Sequence, residues 1–171
     1  MAEEIVNDGI VNRVEASGLI QIDLGELLPR PIVTPFDLAD HLWQGLVLRE
    51  REFREAMRGL VGFEGRWVAL HCSADAVIPD WAWMLATSAL IEAGAKVGVG
   101  TPEEVATAAQ MKALEALDVE RYRDARLIVK GCGGDAGPEV WSGLVCKLQP
   151  VVKSLMFGEA CSTVPIFKRR Q

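Results

Sequence analysis

The chain has 171 residues and a formal net charge of −6, with half of its residues apolar and a quarter charged. This balance excludes disorder by composition and argues against a broad phosphate-binding face, which wants an excess of positive charge. A single domain of this length buries about 70% of the surface its unfolded chain exposes, so it needs neither disulfides nor metal merely to fold.

Residues 1–35 read as a strand-containing preamble and residues 36–171 as the core of one α/β domain. Ile5-Val6-Asn7 recurs as Ile10-Val11-Asn12, a unit too short for a structural repeat. Leu19 to Leu24 alternates like a strand, ended by Pro29 and Pro31, and Ile32 to Phe36 extends again, with Pro35 confining it to an edge. Asp37 is placed as an N-cap, and Leu38, Leu42, Leu46, Phe53, Met57 and Leu60 predict one long or broken helix. Trp67 to Leu70 predicts a buried strand, Trp81 to Ala93 a helix ended by Gly94, and Lys96 to Val99 the next strand. Thr101, Pro102 and Glu104 supply an N-cap, a first-turn proline and a capping-box partner for a helix to about Leu117. Arg126 to Lys130 is a third strand and Pro138 to Leu148 a further helix. Leu155 to Phe157 and Thr163 to Phe167 are final strands, the last at an edge because of Pro165. Connections this long between strands imply parallel pairing and right-handed crossovers. The expected fold is a three-layer α/β domain: a mostly parallel sheet with helices on both faces and short antiparallel or edge strands at the termini.

The longest apolar stretch, Trp81 to Ile91, is too short to span a bilayer, which takes about 20 residues. Ala2-Glu3-Glu4 carries the wrong charge for a signal peptide. The expected location is cytoplasmic, where Cys72, Cys132, Cys146 and Cys161 are thiols, metal ligands or redox groups rather than disulfides.

Sites in open parallel sheets form outside the carboxyl ends of the strands. Cys72 follows one predicted strand, Cys132 another, and Cys161 falls between the last two, so these three are expected to reach one sheet edge. Cys132 lies in Gly131-Cys132-Gly133-Gly134, ahead of the helix opened by Pro138, whose dipole favours a thiolate. His71, Ser73 and Asp75 flank or follow Cys72 and are able to ligate or hydrogen-bond. Cys146, inside a helix beside Val145, is expected to be a small core residue. The cysteines show no local C-x-x-C pairing, which argues against a zinc knuckle.

Other features are weaker. Gly98-x-Gly100 opens a helix after a strand, but Glu103 stands where a dinucleotide loop has its third glycine, so a capped turn is expected. His41 reads as a satisfied helix-face residue, His71 as a hydrogen-bonded strand-end imidazole or a ligand, and Asp75 or Asp80 as the cap of the helix near Pro79. No Gly-x-Ser-x-Gly, Walker or His-Glu-x-x-His motif occurs, so the hydrolase, P-loop and zincin readings lose their usual support.

Several segments together carry a family resemblance: Ile10-Val11-Asn12-Arg13-Val14, Cys72-Ser73-Ala74-Asp75-Ala76, Val129-Lys130-Gly131-Cys132-Gly133 and Cys161-Ser162-Thr163-Val164-Pro165-Ile166. They make the chain resemble, over nearly its whole length, the bacterial family catalogued as domain of unknown function 2480. The resemblance implies no activity. It implies an association with iron–sulfur cluster assembly, because genes of that family tend to lie near those for cluster assembly. Cys72, Cys132 and Cys161 fall inside these segments and Cys146 outside them.

The leading expectation is an accessory factor in metal or iron–sulfur cluster handling. Cys72, Cys132 and Cys161 would ligate an iron–sulfur cluster, iron or zinc, with Asp75 or His71 completing the set and iron–sulfur assembly proteins as partners. The alternatives are a thiol enzyme or sulfur carrier using Cys132, and a scaffold with buried cysteines. In the scaffold reading Leu38 to Leu60 contacts a partner or, in a homodimer, a second copy. Nucleic acid and membrane are not expected partners.

Overall fold

Aliphatic runs bounded by Gly and Pro become strands, and capped segments with helical spacing become helices. The structure, a computed structural model, describes residues 18–131, 136–159 and 162–170. In chain order the elements are β1 (Leu19–Asp23), α1 (Leu24–Leu27), β2 (Val33–Asp37), a 3₁₀ turn (Leu38–His41), β3 (Leu42–Trp43), β4 (Val47–Leu48), α2 (Glu50–Ala56) and β5 (Trp67–His71). There follow α3 (Asp80–Glu92), β6 (Lys96–Val99), α4 (Pro102–Ala116), a second 3₁₀ turn (Glu120–Tyr122), β7 (Arg126–Lys130), α5 (Pro138–Leu148), β8 (Ser154–Glu159) and β9 (Ser162–Lys168). The fold is α/β with mostly parallel pairing, as expected, but its parallel strands form two sheets, ordered β2-β5-β6 and β1-β7-β8-β9. The chain divides into two compact units: Met1–Pro29, Leu117–Asp135 and Trp141–Gln171 in one, Arg30–Ala116 and Ala136–Val140 in the other.

In the second unit β5 is the central strand, parallel to β2 and β6. Successive strand residues face opposite ways. Val68 and Leu70 join a cluster with Ala82, Ala86, Ala89 and Leu90 of α3 and Leu38, Phe53 and Met57. Ala69 pairs with Gly98, and a Cβ on Gly98 would stand 2.9 Å from both methyls of Val105 on α4. Helices therefore cover both faces of this sheet, and α4 comes close because residue 98 has no side chain. Gly94, at φ +84°, ends α3. Its N–H bonds the Ile91 carbonyl, and the Ala95 N–H bonds that of Leu90, a pattern that satisfies the last carbonyls of a helix. Proline removes a ladder donor, and Pro35 lies in β2, an edge strand, as predicted.

The long or broken helix predicted over Leu38 to Leu60 forms only in part. A 3₁₀ turn, the β3–β4 hairpin and the seven-residue α2 take its place. Gln44 and Gly45 both have positive φ, and the Leu46 N–H bonds the Trp43 carbonyl, a turn whose twist suits a hairpin. His41 belongs to this 3₁₀ turn, stacked on Phe36 and edge-on to Phe53. At α3 neither expected aspartate caps. Pro79 holds the N-cap position without a side-chain bond, and Asp80 is the first helical residue, where its charge suits the dipole.

In the first unit Leu127, Ile128 and Val129 of β7 are all buried. β1 and β8 lie parallel on either side, and β9 runs antiparallel outside β8 with an irregularity between Leu155 and Met156. Asp23 ends β1 and caps α1 through the N–H groups of Gly25 and Glu26. The Arg169 guanidinium, beyond β9, bonds Asp124 and the carbonyls of Pro150 and Val151. Among the described residues no helix is long and apolar enough to cross a membrane.

Candidate functional site

In each sheet two neighbouring parallel strands end in polar residues, Asp37 and His71 in one and Lys130 and Glu159 in the other, and a cysteine follows closely in the chain. In the β2-β5-β6 sheet, Asp37 and His71 are register partners at the ends of β2 and β5. Asp37 accepts hydrogen bonds from the N–H groups of Ala39 (2.9 Å) and Ser73 (3.0 Å). His71 Nε2 stands 3.6 Å from Asp37 Oδ2, and its Nδ1 lies 3.2 Å from the Ala69 carbonyl oxygen. Burial pushes the Asp37 carboxyl up. The Ser73 hydroxyl, the two backbone N–H groups and the charge of His71 outweigh it and hold the carboxyl below its ordinary value. Cys72 is half-buried, with its thiol 3.6 Å from the Ala74 carbonyl, and Asp75 is exposed.

At the β6 end, Gly98-x-Gly100 is the turn of a capped helix. The Thr101 N–H bonds Glu104 Oε2 at 2.8 Å, and the Glu104 N–H bonds Thr101 Oγ1 at 3.3 Å. The backbone and side-chain bonds from Thr101 lower the Glu104 carboxyl below its ordinary value.

The expectation that Cys72 and Cys132 leave one sheet edge does not hold. β5, which precedes Cys72, belongs to one sheet, and β7, which precedes Cys132, belongs to the other. Apolar runs and long crossovers show that strands are parallel, but neighbour choice depends on contacts far apart in sequence. Cys132 and Cys161 themselves lie outside the described residues. Their anchor points do not. β7 and β8 are neighbours with Val129 opposite Phe157, Cys132 comes two residues after Lys130, and Cys161 two after Glu159. Lys130 Nζ and Glu159 Oε2 pair at 3.1 Å across these two strand ends. Among the described residues no group of three His, Cys, Asp or Glu is arranged to hold a metal ion. His71, Cys72 and Asp75 are thus not a ligand set by themselves.

Gly131, just before Cys132, is pressed against aromatic rings: a Cβ there would lie 2.7 Å from Phe157 and 3.2 Å from Trp141. The two rings meet edge to face at 5.3 Å. Beside them lies an apolar cavity of about 290 Å³, lined by Val129, Trp141, Val145, Leu155, Phe157 and Ile166 among others.

Cys146 is exposed rather than in the core. The buried residues of α5 are Val140, Leu144 and Leu148, at helical i, i+4, i+8 spacing. Position 146 is two residues off that row, about 200° around the helix. Sequence reading missed Asp37 as more than a cap and missed the Lys130–Glu159 pair. Both depend on strand register, which no local signal carries.

No curated protein and no solved structure matches the chain. The family model described as a protein of unknown function, DUF2480, matches residues 8–169, nearly the whole chain, and the protein belongs to that family.

Proposed function

We propose that this protein is an accessory factor that binds and hands on a thiophilic metal, as iron, zinc or an iron–sulfur cluster, through Cys132 and Cys161. The observation that supports it is strand order: β7 and β8 are hydrogen-bonded neighbours, and the chain leaves both at nearly the same level. Adjacent strands are about 4.8 Å apart, so two thiols attached just beyond such ends suit one soft metal centre. Iron–sulfur assembly proteins are the partners this reading implies. Cys72, with His71 and Asp75 near it in the chain, follows the other sheet and enters the proposal as a separate thiol.

The test is metal and acid-labile sulfide content, with the visible spectrum, of anaerobically purified protein and its Cys72→Ser, Cys132→Ser, Cys161→Ser and Cys146→Ser variants. Occupancy lost in Cys132→Ser and Cys161→Ser but kept in Cys146→Ser is the expected result. Sulfide separates a cluster from iron or zinc alone. Equal occupancy in all four variants overturns the reading.

The same strand order supports a second reading, in which Cys132 takes up a persulfide or mixed disulfide by exchange with a donor persulfide or disulfide, and the Cys161 thiolate then displaces hydrosulfide or the bound thiolate to leave a Cys132–Cys161 disulfide. It predicts that Cys132 is alkylated much faster than Cys146 in metal-free protein near neutral pH. The buried-cysteine scaffold has less support, because Cys146 is exposed and Cys72 only half-buried.

A further inference from the structure

We infer that the outer face of α3 is a self-association surface, on which α3 of a second copy of this chain packs antiparallel. The inference is independent of the metal and thiol readings above.

α3 buries Ala82, Ala86, Ala89 and Leu90, a single face at helical spacing. A helix with one buried face ordinarily carries charge on the other. Here no residue between Asp80 and Glu92 is charged. Met84, Ser88 and Ile91 lie on the outer side, and Met84 and Ile91 are 72% and 59% exposed.

This face is shaped as well as apolar. Trp83-Thr87-Ile91 and Met84-Ser88-Glu92 are neighbouring i, i+4 rows, and together they line a groove of about 520 Å³. Such a groove accepts an i, i+4 ridge of another helix, crossing at about −50°. A second α3 brings the same ridge and the same groove, so each copy fills the other, as a two-fold interface requires. Thr87 and Ser88 are small residues at the midpoint, where the helices come closest. In the antiparallel arrangement Met84 of each copy then meets Ile91 of the other.

Charge selects this occupant and its direction. Asp80 opens α3, and Asp75 is exposed just ahead of it. At the other end Arg54 and Arg58 lie beside Ser88 and Glu92. Arg54 is paired with Glu50 at 2.9 Å, while Arg58 and Asp80 form no ion pair among the described residues. An antiparallel copy brings the acidic end of each α3 towards Arg58 of the other, whereas a parallel copy sets acid against acid. Asp80 and Glu92 at the two ends of the face disfavour an anionic lipid surface. A groove on one helix does not enclose a small molecule as ligand pockets do.

The experiment is sedimentation velocity of the full chain, reduced and metal-free, over a concentration series to about 1 mM. The parent should pass from monomer to dimer. Met84→Lys and Ile91→Lys change exposed side chains, so the fold stands, and each should raise the dissociation constant at least about tenfold, as loss of a central contact does. In a Cys146→Ser background, Ser88→Cys should oxidise to a disulfide-linked dimer, because position 88 meets its own copy next to the two-fold axis. Met84→Cys should not, because the two Met84 positions lie on opposite sides of that axis, beyond disulfide reach.

A parent that stays monomeric throughout overturns the inference. So does a dimer whose dissociation constant both lysine variants leave unchanged. Linkage through Met84→Cys and not through Ser88→Cys overturns the antiparallel arrangement.

Discussion

In the β2-β5-β6 sheet α3 and α4 approach the strands over small side chains, whereas in the β1-β7-β8-β9 sheet α5 meets β8 through aromatic rings. Ala82, Ala86 and Ala89 of α3 lie against Val68 and Leu70, and Val105 of α4 sits against Gly98. In the other sheet Trp141 meets Phe157 edge to face, and an apolar cavity of about 290 Å³ remains beside them. Small residues let backbones close down. Large rings packed edge to face hold the elements that carry them further apart. The polar ends differ too. Asp37 at the first sheet is tied to Ala39, Ser73 and His71, whereas Lys130 and Glu159 at the second form one partly exposed ion pair, a kind worth about 0–1 kcal/mol.

Core truncation should give the largest effects. Leu70 and Leu127 are fully buried on the central strands of the two sheets. Leu70→Ala and Leu127→Ala should each cost about 2–5 kcal/mol, measured by urea unfolding. Trp141 is the sole tryptophan of the first unit, so replacing the other four with Phe makes fluorescence report on that unit. Leu127→Ala should shift that curve strongly. An equal shift from Leu70→Ala would show that the two units unfold together and would break the comparison.

The glycines sharpen it. Gly98→Ala should cost about 1–3 kcal/mol, because the new Cβ meets the branched Val105 side chain in a closed layer. Gly131→Ala meets Phe157 and Trp141 next to the cavity, where the rings have room to shift, and should cost less than about 1 kcal/mol. Thermal unfolding of both variants checks the order, and the reverse order would mean that the cavity gives no relief.

Removing the cap of α4 is smaller. Thr101→Ala loses the reciprocal bonds with Glu104 and should cost about 1 kcal/mol, read by chemical denaturation near neutral pH.

The smallest effect is a pH slope. The Asp37 carboxyl lies below its ordinary value of 3.8 in the folded chain. Its contribution is therefore complete above that value and is lost as the pH falls through the lower folded value. Asp37→Asn should be less stable than the parent near neutral pH, with the difference shrinking towards acid. A constant difference across an acid series would mean that the carboxylate charge has no part in it.

Local patterns were legible where local chemistry decides. Trp67–His71, Lys96–Val99 and Arg126–Lys130 are strands, and Pro138–Leu148 is a helix, because turn residues and caps bound them. The Thr101–Glu104 box and the edge positions of Pro35 and Pro165 were also readable, since a missing N–H or a reciprocal cap acts within a few residues. Leu38 to Leu60 misled because leucines at helical spacing also fit a 3₁₀ turn, a hairpin and a short helix once Gln44-Gly45 reverses the chain. Cys146 misled because an apolar neighbour such as Val145 does not reveal which row of α5 is buried.

The α/β class, the parallel pairing, the ends of α3, α4 and α5 and the family could be read from the chain alone, because caps, prolines and apolar periodicity act over a turn or a strand. That the strands form two sheets, that β7 and β8 are neighbours, and that Asp37 stands opposite His71 emerged only with the folded arrangement. Those outcomes come from hydrogen bonds between residues tens of positions apart. Each is chosen by how well whole layers pack, and that choice leaves no mark on any short stretch of chain.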